Sequence, residues 1–269
     1  MTRKPDRRLT EAELSVLGPL AEHRVLTLPQ VRLLHPAATA TLISRLNDAG
    51  LIGMARIFDG LPAAVSVSAG GLRALGSMLK PTPRPNLNQY RHELGVGWLW
   101  LAARAGRYGA LERLTTERRM RSEDASAQAS EQTPAWGIGL GVLGRYGRPR
   151  LHYPDLLLDT AGGHRVAMEL ELSAKSSLQL AQVMSAYASD SRLDHVLYLA
   201  DGARVASRIR DAAGSAGIAD RVHVSLLPPD SIAGAEIPTL QRARAARRGP
   251  RTPVHSGAFP GSARMDAGR

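Results

Sequence analysis

The stretch that decides the fold is Arg165-Val-Ala-Met-Glu-Leu-Glu-Leu-Ser173. Side chains on a β-strand alternate between two faces, so Val166, Met168, Leu170 and Leu172 share one face and Glu169 and Glu171 the other. The alternation predicts a strand with one apolar face on a core. The carboxylate pair is then expected to point away from that core. Two neighbouring carboxylates repel, and partial burial raises their pKa unless a cation compensates. Lys175 follows within reach of Glu171, at the opening of the next helix. Upstream, Pro154-Asp155 places a third carboxylate at the start of the preceding strand, where the missing proline donor is tolerated. A bound metal is the natural compensation, which makes Asp155, Glu169 and Glu171 candidate metal ligands with Lys175 beside them.

Around these residues the pattern repeats as a unit. A helix over Leu87–Ala105 carries Tyr90, Leu94, Trp98 and Leu101 at helical spacing. Strands are expected at Ala110–Glu117, Leu151–Asp159 and Arg165–Ser173, and a helix at Ser176 to about Ser189. A strand His195–Leu199, a helix Ala203–Ala213 and a strand Arg221–Leu227 complete it. The order αβββαβ plus an appended helix and strand predicts a mixed sheet covered by helices, an α/β (α+β) architecture. Residues 121–149, rich in Ser, Ala, Gln and Gly, are expected to be an irregular insertion. Glu93 and Glu117 are supplementary ligand candidates. His92, His152, His164, His195 and His223 show no paired metal spacing and are expected to be incidental.

The N-terminal part reads differently. Thr10-Glu-Ala-Glu13 has the form of a capping box, followed by Leu14, Leu17 and Leu20. Thr27 opens a second helix with Val31 and Leu34, and a third runs over Ala38–Ala49, closed by Gly50. Its inner stripe is Leu42, Ile43 and Leu46; Thr39, Thr41, Ser44, Arg45 and Asp48 lie opposite. Leu51–Ile57 and Val65–Ser68 flank an Asp59-Gly60 turn and read as a hairpin. The expected division is residues 1–80, a linker at 81–86 containing three prolines with its preceding Lys80, residues 87–232, and a disordered Arg-rich tail at 233–269.

The chain has 269 residues and no cysteine, which excludes disulfide scaffolds, thiol nucleophiles and thiolate metal sites. No apolar run is long enough to span a bilayer and Met1–Thr10 lacks the apolar centre of a secretory signal, so no membrane partner and a cytoplasmic location are expected. The net charge of +11 is unevenly placed. Residues 1–80 hold ten basic and six acidic side chains, residues 81–240 eighteen and seventeen, and residues 241–269 seven and one. A near-neutral centre between basic ends fits a polyanion partner. No Walker-type phosphate loop and no nucleophile elbow is present.

Two resemblances sharpen these expectations. Leu42-Ile-Ser-Arg-Leu-Asn-Asp-Ala-Gly-Leu-Ile52 resembles the third helix and first wing strand of bacterial winged-helix proteins. That likeness implies a winged helix-turn-helix whose third helix enters the DNA major groove, with Thr39, Thr41, Ser44 and Arg45 facing DNA and Arg56 opening the wing. Pro154-Asp155, Glu169-Leu-Glu171 and Lys175 resemble the PD-(D/E)xK nuclease superfamily. The order of the two units is similar to the replication-relaxation family, an actinobacterial plasmid- and mobile-element-associated group. The likeness implies that Asp155 and Glu169 bind Mg²⁺ and that a lysine assists the attacking water. This chain departs from the pattern two positions after Glu169, where Glu171 stands in place of lysine, and Lys175 is the substitute. Implied partners are double-stranded DNA and, for such a family, a second copy or the proteins of plasmid transfer and replication. Three functions stay open: a DNA-binding accessory protein with a nuclease-fold domain, a Mg²⁺-dependent DNA endonuclease, and a regulator or protein-interaction module.

Overall fold

An antiparallel pair of strands, Leu156–Thr160 and Arg165–Glu171, then a helical crossover to a parallel strand, His195–Ala200, set the architecture. The computed structural model describes residues 8–34, 39–82, 87–130, 132–133, 135–144 and 147–227. Helix α5 (Tyr90–Arg104) is followed by β4 (Leu111–Thr116), α6 (Glu117–Ala129) and the hairpin strands β5 (Ile138–Leu143) and β6 (Pro149–His152). Then come β7 (Leu156–Thr160), β8 (Arg165–Glu171), α7 (Ser177–Ser189), β9 (His195–Ala200), α8 (Ala203–Ser215) and β10 (Val222–Leu226). The main sheet has the order β10-β9-β8-β7-β4. Neighbours β4, β7 and β8 pair antiparallel, whereas β8, β9 and β10 pair parallel. The result is a mixed α/β sheet, as the alternation of elements requires.

Both faces of this sheet are covered. Met168 and Leu170 pack with Leu156, Leu158 and Leu199 against Val96, Leu99 and Trp100 of α5. Ala167 on the other face joins Leu157, Val196 and Tyr198 under Leu180, Met184 and Tyr187 of α7 and Ile209 of α8. The expectation that Glu169 and Glu171 point away from the core is therefore corrected. Period two sends them to the second face, as expected, but that face is a second core, and the two residues are 3% and 6% exposed. A parallel β8–β9 pair with helices crossing over it leaves no open face.

Residues 121–149 are not an irregular insertion. Thr116 caps α6 through Arg119 N, and near the helix's far end the buried Asp124 accepts hydrogen bonds from the backbone of Ala135, Trp136 and Gly137. The polar helix has almost no apolar stripe to reveal it; Met120 alone is fully buried. The expected strand Leu151–Asp159 is split into β6 and β7 by Tyr153-Pro154-Asp155, because proline supplies no ladder donor.

The N-terminal elements are α1 (Glu11–Glu22), β1 (Leu26–Thr27), α2 (Leu28–Leu34), α3 (Ala40–Asp48), β2 (Ile52–Ala55), β3 (Ala64–Val67) and α4 (Ala69–Ala74). The Thr10–Glu13 capping box forms, and the sheet has the order β1-β3-β2. Val16, Leu17, Leu20, Leu42, Ile43, Leu46 and Val65 make this unit's core. Two elements exceed the expectation: β1, too short to carry a pattern, and α4, whose two glycines obscure it. Gly71 is there because β2 approaches closely; a Cβ would lie 2.2 Å from the Leu51 carbonyl oxygen.

Contacts gather the described residues into one unit, and the N-terminal elements meet α5 and α6 directly. Gln30 donates to Leu94 O at 2.8 Å, and Arg118 donates to the carbonyls of His23 and Lys80. Pro36, Ala38, residues 83–86 of the expected linker and the expected tail at 233–269 lie outside the described residues. Among the described residues no helix is long and apolar enough to cross a membrane.

Candidate functional site

The sheet brings the four sequence-derived residues into one electrostatic neighbourhood. Asp155 stands immediately before β7, Glu169 and Glu171 on the central strand β8, and Lys175 between β8 and α7. Each is held by a specific partner. Asp155 Oδ2 accepts from Leu170 N at 2.8 Å and from His92 Nε2 at 3.1 Å, the same His92 nitrogen lying 3.1 Å from Leu170 O. Glu169 Oε1 accepts from His152 Nε2 at 2.6 Å and from the Tyr187 hydroxyl. Lys175 Nζ stands 2.6 Å from Glu171 Oε2, as an ion pair outside the angles of a directed hydrogen bond.

These contacts fix the charge states. Burial pushes the Glu169 carboxyl up, but His152, Lys175 and the Tyr187 hydroxyl outweigh it and hold the carboxyl well below the usual range. Burial, aided by Glu169 and Asp155, leaves Glu171 above the usual range despite Lys175. Burial lowers His92, yet the Asp155 carboxylate beside it more than compensates and raises the imidazole to about 9. For Lys175 the pull of Glu169, Glu171 and Asp155 likewise exceeds desolvation, so its ammonium is held charged. The Tyr187 phenol is driven well above 10 by burial and by Glu169, and so stays a donor.

The histidines His92 and His152, expected to be incidental, are thus part of the cluster. Their signal in sequence is faint: His152 lies three residues before Asp155 and His92 on a distant helix. Glu93 and Glu117, expected as supplementary ligands, share one cation instead. Arg24 Nη1 lies 2.9 Å from Glu93 Oε1 and 3.1 Å from Glu117 Oε2. A cavity of about 20 Å³ lined by Arg24, His92, Glu93, Glu117, Arg118 and Asp155 separates this bridge from the main cluster; it has room for about one water.

The donor set decides what the cluster can hold. A magnesium ion needs several oxygen ligands free to converge at short distance. Here the hydrogen-bonding oxygens of Asp155 and Glu169 face nitrogen or hydroxyl donors, and Glu171 faces an ammonium. Among the described residues no group of three His, Asp or Glu side chains is arranged to hold a metal. As arranged, each carboxylate has at least one oxygen engaged by a protein cation or donor. Outward, the most exposed groups are His92 and Lys175, at about a third of their side-chain surface, whereas the glutamates are nearly closed off. The accessible rim is cationic.

The expected DNA-facing residues lie elsewhere on the surface. Thr39 caps α3 through Leu42 N, Ser44 donates to Asp48 Oδ2 at 3.3 Å, and Arg45 pairs with the buried Glu13 at 3.4 Å. Thr41 and Arg56 are exposed. Ser176 and Gln179 form a capping box at the start of α7. Comparison with protein-family models, with curated proteins and with solved structures finds no match to this chain.

Proposed function

We propose that the chain is a DNA-binding protein in which an N-terminal winged helix is joined to a PD-(D/E)xK-like domain that grips DNA without a resident metal. The observation carrying this reading is the cluster itself: carboxylates engaged from within by His152, Tyr187, His92 and Lys175, with the cationic His92 and Lys175 at the rim. Such a rim suits a phosphate oxygen rather than a metal-bound water. Three further features support the reading. The main sheet, in which β4, β7 and β8 pair antiparallel and β9 follows parallel to β8 across α7, is compatible with the helix-covered mixed sheet expected for that domain. A four-helix unit with a small antiparallel sheet leaves the polar face of α3 exposed, as a groove-reading helix requires. The net charge of +11 supplies phosphate affinity. Placement in the replication-relaxation family, with plasmid replication or transfer proteins as partners, belongs to this same reading.

The test is fluorescence anisotropy of the full chain with a labelled duplex between 50 and 200 mM salt. Binding is expected to weaken steeply and linearly in logarithmic form. Absence of binding at 50 mM salt overturns the reading in favour of a protein-interaction module.

A further inference from the structure

The β5–β6 hairpin carries features the site description does not use. It leaves the main sheet as a separate two-stranded ribbon, with β5 resting on α7. Its inner end is tied to the cluster, because His152 closes β6 and donates to Glu169. Towards its outer end Val142 and Leu143 are 37% and 72% exposed. The register shifts between Gly139 and Leu143, with Gly141 at φ +68°, so the ribbon is bulged and twisted where these side chains emerge.

Charge follows the same line. Arg150 lies two residues before His152, on the same face of β6, and Arg148 precedes it by two more; both are exposed. Elsewhere in the sheet unit several arginines are paired with carboxylates, Arg91 to Asp201, Arg113 and Arg165 to Asp159, Arg119 to Glu22, Arg121 to Glu117 and Arg192 to Asp190. The guanidiniums of Arg148 and Arg150, like that of Arg204 on α8, have no ion pair or hydrogen bond among the described residues. Two unneutralised guanidiniums, one on β6 and one just before it, therefore lie outward of the buried glutamates, on the same hairpin as an exposed apolar pair.

We propose that the β5–β6 hairpin is a DNA-contacting arm. Arg148 and Arg150 bind successive phosphates, and Val142 and Leu143 pack against the sugar or base edges of the groove. A β-ribbon fits the major groove of B-DNA, and apolar side chains flanked by arginine are a usual means of seating protein against base steps. The inference rests on the DNA-binding reading and adds the surface by which the sheet unit would engage the duplex.

The full chain tests it. Arg148→Ala/Arg150→Ala is compared with wild type by anisotropy on the same duplex across the salt series. Losing two phosphate contacts lowers the logarithmic salt slope by about 1.8, whereas Arg148→Lys/Arg150→Lys retains it. Because the chain has no cysteine, Leu143→Cys carries a single environment-sensitive fluorophore, expected to shift to the blue on adding duplex. If wild type binds DNA but the alanine variant keeps the full slope and the label is silent, the arm is refuted and the DNA reading stands. If wild type binds no duplex, both fail. A label that answers only to anionic vesicles or an acidic protein also overturns the arm's assignment to DNA.

Discussion

Acidification from pH 7 to pH 5 should cost this protein about 2 kcal/mol at a single side chain, His23. The residue follows α1, is 5% exposed, and packs edge-on against Trp100 at 5.0 Å between ring centroids. Its Nε2 has no hydrogen-bond partner, and the Arg118 and Arg24 guanidiniums are near. Burial first, then these two cations, lowers the ring's pKa from 6.5 to about 3. The native ring is neutral, so the unfolded chain binds more protons between those values. The contribution is complete above about pH 6.5 and is lost as the pH falls towards 3. At pH 5 the unfolded imidazole is protonated by about 1.5 logarithmic units of free energy while the native one is not, which is about 2 kcal/mol at 1.36 kcal/mol per unit. Carboxylates titrate in the same interval, so the comparison must be differential. Urea unfolding of wild type and of His23→Gln is measured at pH 7 and pH 5, and wild type should lose about 2 kcal/mol more than the variant over that range. Equal losses in the two proteins would refute the reasoning, since they would mean that the ring already reaches water in the native state.

Three other outcomes follow from the packing and the site. Gly97→Ala puts a Cβ 2.6 Å from Leu26 Cδ2 and 2.8 Å from Gln30 Nε2, so despite a helix-propensity gain of about 1 kcal/mol overpacking should cost about 1–3 kcal/mol, read by urea unfolding. Asp124→Ala strips partners from the buried backbone N–H of Gly137 and from those of Ala135 and Trp136; a loss of about 2–4 kcal/mol is expected, with faster amide exchange at residues 135–137 than elsewhere. Supercoiled plasmid incubated with protein and Mg²⁺ or Mn²⁺ should remain uncut; nicking that disappears in Asp155→Ala/Glu169→Ala would establish the endonuclease alternative.

Much of the main sheet was legible in the sequence because its strongest segments carry unambiguous periods. The alternation over Arg165–Ser173 gave β8, and the helical spacing of Tyr90, Leu94 and Trp98 gave α5 with its start placed three residues early. What period could not show is which face of a strand is solvent, since that depends on whether a later helix returns across it. The α7 crossover covers the face bearing Glu169 and Glu171, and that one long-range event turns an apparently open acidic face into a buried, compensated one. Residues 121–149 were illegible for a related reason. Helix α6 has little apolar stripe, and the segment after it is held by Asp124 accepting from backbone N–H groups eleven to thirteen residues away, an interaction without a local signature.

The same limit applied to the site. Acidic residues announce themselves by type, so Asp155, Glu169 and Glu171 were singled out, with Lys175 beside them; the histidines and the tyrosine that engage them were not. His92, His152 and Tyr187 arrive from α5, β6 and α7, three elements that are separate in sequence. Their effect is to reverse the meaning of the carboxylates. An uncompensated Asp155, Glu169 and Glu171 would require a bound cation; a compensated set has its cations built in and turns His92 and Lys175 towards solvent. The proposed metal-free grip on DNA therefore depends on donors that the carboxylate motif alone does not specify, among them His152, which joins Glu169 to the inner end of the arginine-bearing hairpin.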